Sequence, residues 1–183
     1  ILHVHLGNAP SKLDLLFQMV NDHQVPIESI SPTHVARTSD LFDSAIEFGK
    51  LGGRIDITTG ASKFTDPHKA VLMAIERKLP VDRITFSTDG NAGLDLKDKN
   101  NNVIGTKPAP IRANLEEFVK LVKTKNISIP DALTVVTSNV ADNLGLNNKG
   151  RLQVGKDSDF CVFDNSWNLK TVISKGKIHS IGS

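Results

Sequence analysis

The first 127 residues alternate between short apolar runs, typical of buried strands, and longer segments whose apolar positions recur at helical spacing. The runs read ILHVHL, ISPTHV, RIDITT and RITFST, and each precedes a segment with a helical stripe. A strand followed by a helix, repeated in this way, is typical of a parallel α/β sheet. One further helix is predicted between Ile129 and Gly145, which has the residue type that ends helices.

Two parts of the chain depart from this pattern. The stretch from Asp89 to Gly105 is rich in glycine and asparagine, and its length predicts a functional loop. After Gly150 the apolar runs become short and lose helical spacing, as in RLQVG, DFCVFD, NLKTVISKGK and HSIGS. These runs predict a small β segment appended to the α/β part.

Metal-capable side chains stand at the ends of three predicted strands. His5 closes the first run, His34 closes the second, and Asp89 follows the fourth. The carboxyl ends of parallel strands meet at one face of an α/β barrel, so we expect these residues to converge although they are far apart in sequence. Two imidazoles and a carboxylate are suitable ligands for zinc.

Composition and charge exclude several classes of partner. The 183 residues carry a net charge of +2, which gives no field to attract nucleic acid or an anionic membrane. The sequence has no apolar stretch of about 18 residues that could span a bilayer. The plain expectation is a cytoplasmic protein that binds neither nucleic acid nor membranes.

The chain opens on Ile1, inside a strand that the pattern predicts to be buried. Because natural termini are usually poorly ordered surface segments, we expect this chain to be a piece of a longer polypeptide. Four strand-helix units also fit half of an eight-fold barrel of about 250 residues. The expected architecture is therefore half a barrel followed by a small β segment.

The motifs HVHLGN, PTHVAR and STDGNAG, with the tail TSNVADNLGLNNKGRLQVGKDSDFCVFD, carry a family resemblance. They resemble the C-terminal half of amidohydrolase-superfamily enzymes, specifically the isoaspartyl (β-aspartyl) dipeptidase subgroup. The resemblance implies the C-terminal half of a TIM (β/α)8 barrel, with four βα units over residues 1–146 and part of a small β-sandwich over 147–183. It also implies two zinc ions per complete site, bridged by a hydroxide and commonly by a carboxylated lysine.

The resemblance gives roles to four residues. His5 and His34 would ligate one metal, and Asp89 would ligate the other metal and act as general base. Arg37 matches a position that binds a substrate carboxylate, which suits its planar, permanently charged guanidinium. The other metal ligands, a His-x-His pair and the bridging lysine, are expected upstream of Ile1. The substrate would be a small β-aspartyl dipeptide and the parent enzyme a homo-oligomer.

Plainer interpretations stay open beside these. A single histidine at a strand end is usually structural, and Arg37 could be an ordinary surface cation. Gly93 stands where the family commonly has a small hydroxyl residue, so a sibling amidohydrolase is an alternative: an N-acyl amino acid amidase, a cyclic amidase or a deaminase. A third alternative is an inactive half-barrel, because open sheet edges need a partner. The chain alone is expected to have little or no activity.

Overall fold

Four short parallel β-strands organise the computed structural model, which describes residues 1–60 and 64–180. The strands are β1 (Leu2–His5), β2 (Ile30–Thr33), β3 (Ile55–Thr58) and β4 (Ile84–Ser87). β1 pairs with β2 and β3 pairs with β4, each pair without a register shift. The two pairs lie side by side, because the Val35 amide and the Thr33 hydroxyl both bond to Asp56, at 3.4 and 2.6 Å.

A helix follows each parallel strand along the chain, as the periodicity predicts. The first three are α1 (Asp14–Asn21), α2 (Ser39–Lys50) and α3 (Pro67–Glu76), and α4 (Ala113–Lys123) follows β4 after an inserted hairpin. Single 3-10 turns, Ile27–Ser29 and Val81–Arg83, lead into β2 and β4. The strand-helix order of the sequence prediction is confirmed.

Strands β2, β3 and β4 have one apolar face and one polar face, and both are largely buried, whereas three of the four residues of β1 are exposed. The prediction that the first run is a buried strand was therefore wrong. Side chains alternate along each strand, so alternate residues share a face. The apolar face packs in the main core with the helices and comprises Ile30, Ile55, Ile57, Ile84 and Phe86. The polar face comprises Ser31, Thr33, Asp56, Thr58 and Thr85. A buried polar face of this kind favours a site rather than a second packing layer.

The first amides of α1 and α2 are satisfied in different ways. α1 begins at Asp14, whose amide bonds to the backbone oxygen of Ser11. α2 is capped by Thr38, whose hydroxyl accepts from the Leu41 amide at 3.2 Å. A threonine just before the first turn satisfies an amide that the helix itself leaves unpaired.

The segment predicted as a long loop after Asp89 contains a hairpin. Its antiparallel strands are β5 (Gly93–Lys97) and β6 (Val103–Pro108). The turn between them is built by Asp98, whose carboxylate accepts from the amides of Asn100 and Asn102 at 2.8 and 2.9 Å. The prediction of a functional loop did not include these two strands, because the glycine and asparagine content outweighed the alternation in LDLK.

The helix predicted between Ile129 and Gly145 is broken in two. α5 (Ile129–Thr134) and α6 (Ser138–Leu144) are separated where Thr137 leaves the helical region, at φ −131° and ψ −89°. At the break, the carbonyl of Val135 accepts from the Phe86 amide of β4 at 3.2 Å. A hydrogen bond to a strand edge replaces one within a helix, and Gly145 ends α6 as predicted, at φ +67°.

The C-terminal part forms one antiparallel sheet of β7 (Phe160–Phe163), β8 (Leu169–Ser174) and β9 (Lys177–Ser180). The predicted run RLQVG is not a strand, since Arg151 instead makes a bidentate ion pair with Asp142 of α6. The rings of Phe163 and Trp167 lie 6.4 and 5.9 Å from that of Phe118 on α4. The last residues of the run HSIGS, 181–183, lie outside the described residues.

Across residues 1–60 and 64–180 the strands form small separate sheets that do not close into a barrel. The fold that is observed is a mixed α/β arrangement with its parallel strands at one side of the core. No helix in these ranges is both long and apolar enough to cross a membrane.

Candidate metal centre

The structure brings three of the sequence-predicted site residues together at one end of the parallel strands. His5 is the last residue of β1, His34 directly follows β2, and Asp89 comes two residues after β4. Each offers one ligand atom, and these atoms all lie within 4.8 Å of one another. Residues 84 positions apart in the chain meet because parallel strands end on the same side.

The distances between the three ligand atoms suit metal binding. Nδ1 of His5 lies 3.0 Å from Nε2 of His34, and that nitrogen lies 4.0 Å from Oδ2 of Asp89. Zinc binds imidazole nitrogen at about 2.0 to 2.1 Å and carboxylate oxygen at about 2.0 to 2.2 Å, so one ion is able to contact both atoms of either pair. Two imidazoles and a carboxylate thus fit zinc in chemistry and in spacing.

The backbone at two of these residues is strained. His34 and Asp89 have φ values of +65° and +52°, in the left-handed region that side chains with a Cβ rarely adopt. Such conformations cost of order 1–3 kcal/mol each and persist where the surrounding contacts enforce them. The left-handed backbone conformation directs both side chains toward His5, just past the strand ends.

His34 is the most constrained of the three. It is 6% exposed, and its Nδ1 lies 2.6 Å from the Thr58 hydroxyl at the end of β3. Burial and the neighbouring charge of Arg37 lower the pKa of His34 below its usual 6.5, against the opposing effect of Asp89. The imidazole is therefore neutral at pH 7, which is the form that binds a metal.

Arg37 lies at the edge of this site. Its amide bonds to the His34 carbonyl at 3.2 Å, and its positive charge acts on the His34 imidazole, whose pKa it lowers. The residue is half-buried, unlike a fully solvated surface cation. The position suits a charge that approaches an anionic ligand from the side of the strand ends.

Sequence reasoning missed two residues of the site, Asp56 and Thr58. Asp56 is 3% exposed, and its carboxylate accepts hydroxyl hydrogens from Thr33, Thr85 and Ser87, the first two at 2.6 and 2.7 Å. The available signal was the strand IDIT itself, in which polar residues alternate with isoleucine. A polar residue at every second position of a buried strand indicates a polar buried face.

Two imidazoles and a carboxylate at the ends of parallel strands define an α/β protein with a donor set suited to a metal ion. The chain belongs to the amidohydrolase family, whose sequence profile matches residues 2–179. Members of this superfamily are generally metal-dependent. The family assignment made from the sequence motifs is confirmed.

Three relatives illustrate the similarity. The β-aspartyl dipeptidase of Fervidobacterium islandicum AW-1, in complex with β-Asp-Leu, is 31% identical with a TM-score of 0.85, over 97% of this chain and 47% of that one. A second structure of the dipeptidase from this organism is 28% identical with a TM-score of 0.82, over 97% of this chain and 45% of that one. A deacetylase of Brucella anthropi is 27% identical over 164 residues, 88% of this chain and 37% of that one. The chain thus spans less than half the length of each.

Proposed function

We propose that this chain is the C-terminal part of a zinc-dependent enzyme that hydrolyses β-aspartyl dipeptides. The observation that carries the proposal is the convergence of His5, His34 and Asp89 within 4.8 Å at the ends of parallel strands. The similarity to a β-aspartyl dipeptidase over 97% of the chain supports the choice of substrate.

The proposal includes an architecture: half of a TIM (β/α)8 barrel over residues 1–146 and part of a β-sandwich over 147–183. Four parallel strands, each followed by a helix, support the first part. The exposed outer strand supports it too, because three of the four β1 residues are exposed whereas β2 and β3 are buried throughout. A missing neighbour of β1 in the parent enzyme accounts for that asymmetry.

In this proposal His5 and His34 hold one zinc ion, and Asp89 both ligates the adjacent ion and moves a proton. Bound zinc would polarise the scissile carbonyl and activate a water for attack on it. Asp89 would accept the proton of the attacking water and donate it to the departing amine as the C–N bond breaks. Its 30% exposure leaves the carboxylate accessible to both groups.

Arg37 is proposed to bind a carboxylate of the dipeptide. A guanidinium offers several donors in one plane and matches a carboxylate with two parallel hydrogen bonds. Its place next to His34 would set the distance between the substrate's negative group and the bond to be cleaved. Lysine at this position would keep the charge and lose the paired geometry.

The first experiment uses the complete polypeptide encoded by the gene in which this chain lies. We expect hydrolysis of β-Asp-Leu with added zinc, and a loss of about 10²–10⁴-fold in kcat for Asp89→Asn with the fold unchanged by circular dichroism. Asp95→Asn, the same change on the exposed strand β5, is the matched control and should retain activity. Undiminished turnover by Asp89→Asn would rule out the general-base role.

A second candidate, a deacetylase of N-acyl compounds, is favoured by the 27% identity to the Brucella anthropi protein. A panel of N-acyl amino acids, cyclic amides, aminopurines and β-aspartyl dipeptides separates the two. Cleavage of an N-acyl amino acid without cleavage of β-Asp-Leu would replace the dipeptidase assignment. The cytoplasmic location and the homo-oligomeric parent stay predictions, as does the inactivity of the chain on its own.

A further inference from the structure

The carboxylate of Asp56 lies beneath the candidate metal centre, at the middle of the polar face of the strands. β3 carries it, and the hydroxyls it binds come from both flanking strands: Thr33 from β2, and Thr85 and Ser87 from β4. Within the described part of the chain, its side-chain hydrogen bonds are all with neutral hydroxyls. One buried carboxylate therefore joins three adjacent strands just below their carboxyl ends.

The same residue contacts the chain on both sides of His34. The side chain of Thr33, which precedes His34, donates to the Asp56 carboxylate at 2.6 Å. The amide of Val35, which follows His34, donates to the Asp56 backbone carbonyl at 3.4 Å. Thr58, two residues along β3, bonds to the His34 ring. Both neighbours of His34 are thus tied to β3, as is its imidazole.

These contacts account for the conformation of His34. A φ of +65° is unfavourable for histidine, and it persists only if neighbouring contacts fix the backbone on each side. With Nδ1 donating to Thr58, the lone pair of Nε2 is directed at the point shared with His5 and Asp89. Partners of this kind set the tautomer and ring orientation of metal-binding histidines.

A packing role alone would not require a charge at this position. Burying a carboxylate is costly, and apolar side chains of similar volume are often as stable or more stable. The opposite face of the same strand, with Ile55 and Ile57, is apolar and packs in the main core, so the carboxylate is not needed to hold β3 in the fold. A role in the metal centre above it would explain why the costly carboxylate of Asp56 is present at this position.

We propose that Asp56 is a positioning residue for the metal centre: it fixes the backbone on both sides of His34 and so aims the imidazole at the cation. This inference rests on the proposed zinc site and extends it to residues that the sequence motifs leave without a role. Asp56 itself touches neither the ion nor the substrate.

The test is the zinc affinity of the complete polypeptide, in which the remaining proposed ligands are present, measured by competition with a chromophoric chelator. Asparagine keeps the volume of Asp56 and one acceptor oxygen, so Asp56→Asn should fold normally and bind zinc about 10- to 100-fold more weakly. Asp95→Asn should match the wild type. Thr58→Val should also weaken zinc binding, whereas Thr58→Ser, which keeps the hydroxyl, should bind zinc as the wild type does.

A second readout needs no metal. Imidazole ¹⁵N spectra of the metal-free chain should show His34 protonated at Nδ1 alone in the wild type, and as a mixture of tautomers in Asp56→Asn. If Asp56→Asn does not fold, Thr33→Val removes one of the same contacts and is tested in its place.

The outcomes separate the two proposals. Equal zinc affinity and unchanged His34 spectra in Asp56→Asn would overturn the positioning role and leave the zinc site standing. If the wild-type complete polypeptide binds no zinc, the zinc assignment fails, and the spectra alone decide the role of Asp56. Weaker binding together with a mixed tautomer supports the inference.

Discussion

The four parallel strands and the C-terminal sheet form the hydrogen bonds of their polar side chains in opposite ways. In the parallel strands, polar side chains lie inside the protein and bond across strands, as Thr33 and Thr85 do with Asp56. In the C-terminal sheet they bond within a few residues, as Asp164 does with the amides of Ser166 and Asn168. The first network depends on the whole fold, and the second depends on a short stretch of sequence.

This difference in hydrogen bonding predicts how far along the chain the effect of a substitution extends. A change in the parallel-strand region leaves a distant partner unpaired or opens a cavity in the shared core. A change in the C-terminal sheet affects one turn or one exposed strand face. The following expected effects test this contrast, from the largest to the smallest.

Phenylalanine truncation should separate the two regions most strongly. Phe48 of α2 is 0% exposed and packs against Phe17, whereas Phe160 of β7 is 38% exposed. Phe48→Ala should lower the free energy of unfolding by about 3–5 kcal/mol, and Phe160→Ala by about 1–2 kcal/mol. Urea denaturation measures both free-energy losses, provided that the slope of unfolding free energy against urea concentration is unchanged in the two variants. Equal losses would show that the C-terminal sheet is as tightly packed as the main core.

Removing one hydroxyl should give the next effect. Thr85→Val deletes a buried donor to the Asp56 carboxylate, and a hydrogen bond to a charged group contributes about 1.5–3 kcal/mol. Thr171→Val, on the half-buried strand β8, should change the free energy of unfolding by less than about 0.5 kcal/mol. A small effect of Thr85→Val would mean that the polar face tolerates a lost contact.

Acid should destabilise the helical region through Glu117. Burial alone would raise the pKa of Glu117, but hydrogen bonds with Lys120 and His68 outweigh burial and hold the pKa below its ordinary 4.5. A pKa lowered by folding stabilises the protein above about pH 4.5, and this contribution is lost as the pH falls through the lower, folded-state pKa. Stability measured by urea from pH 7 to pH 3 should show this fall.

Glu117→Gln should flatten that pH dependence, because glutamine does not titrate. Hydrogen bonds with Asn168 also hold the pKa of Asp164 below its ordinary value, yet Asp164 lies in an exposed turn where solvent screens the charge. Asp164→Asn should therefore flatten the curve less than Glu117→Gln. The reverse order would contradict the contrast between the two regions.

The strand ends of the site could be predicted from the sequence because they depend on local pattern. An apolar run with a terminal histidine identifies His5 and His34 without any knowledge of the fold, and the repeated strand-helix order predicts their convergence. Asp89 was found in the same way, after the fourth run. The motif resemblance also identified the family, which the profile over residues 2–179 confirms.

The remainder depends on partners far along the chain. The hydroxyls that bond to Asp56 lie 23 to 31 residues away in the sequence, and no local pattern predicts these partners. The helix breaks at Val135 because the edge of β4 offers a competing donor, Phe86, almost 50 residues upstream. The alternation in IDIT and the alternation in LDLK before an Asx turn are local signals for the buried polar face and for the hairpin, but neither identifies a distant partner.

That hairpin begins and ends at one place. The chain leaves at Ala92 and comes back at Ala109, where the Ala109 amide bonds to the Ala92 carbonyl at 2.8 Å and the Asn91 amide bonds to the Ala109 carbonyl at 3.3 Å. Residues 93–108 thus leave and rejoin the rest of the chain at one junction beside Asp89. An insertion or deletion within this segment should therefore leave the position of Asp89 unchanged. The hairpin is a part of the chain whose length is able to vary while the strand ends stay in place.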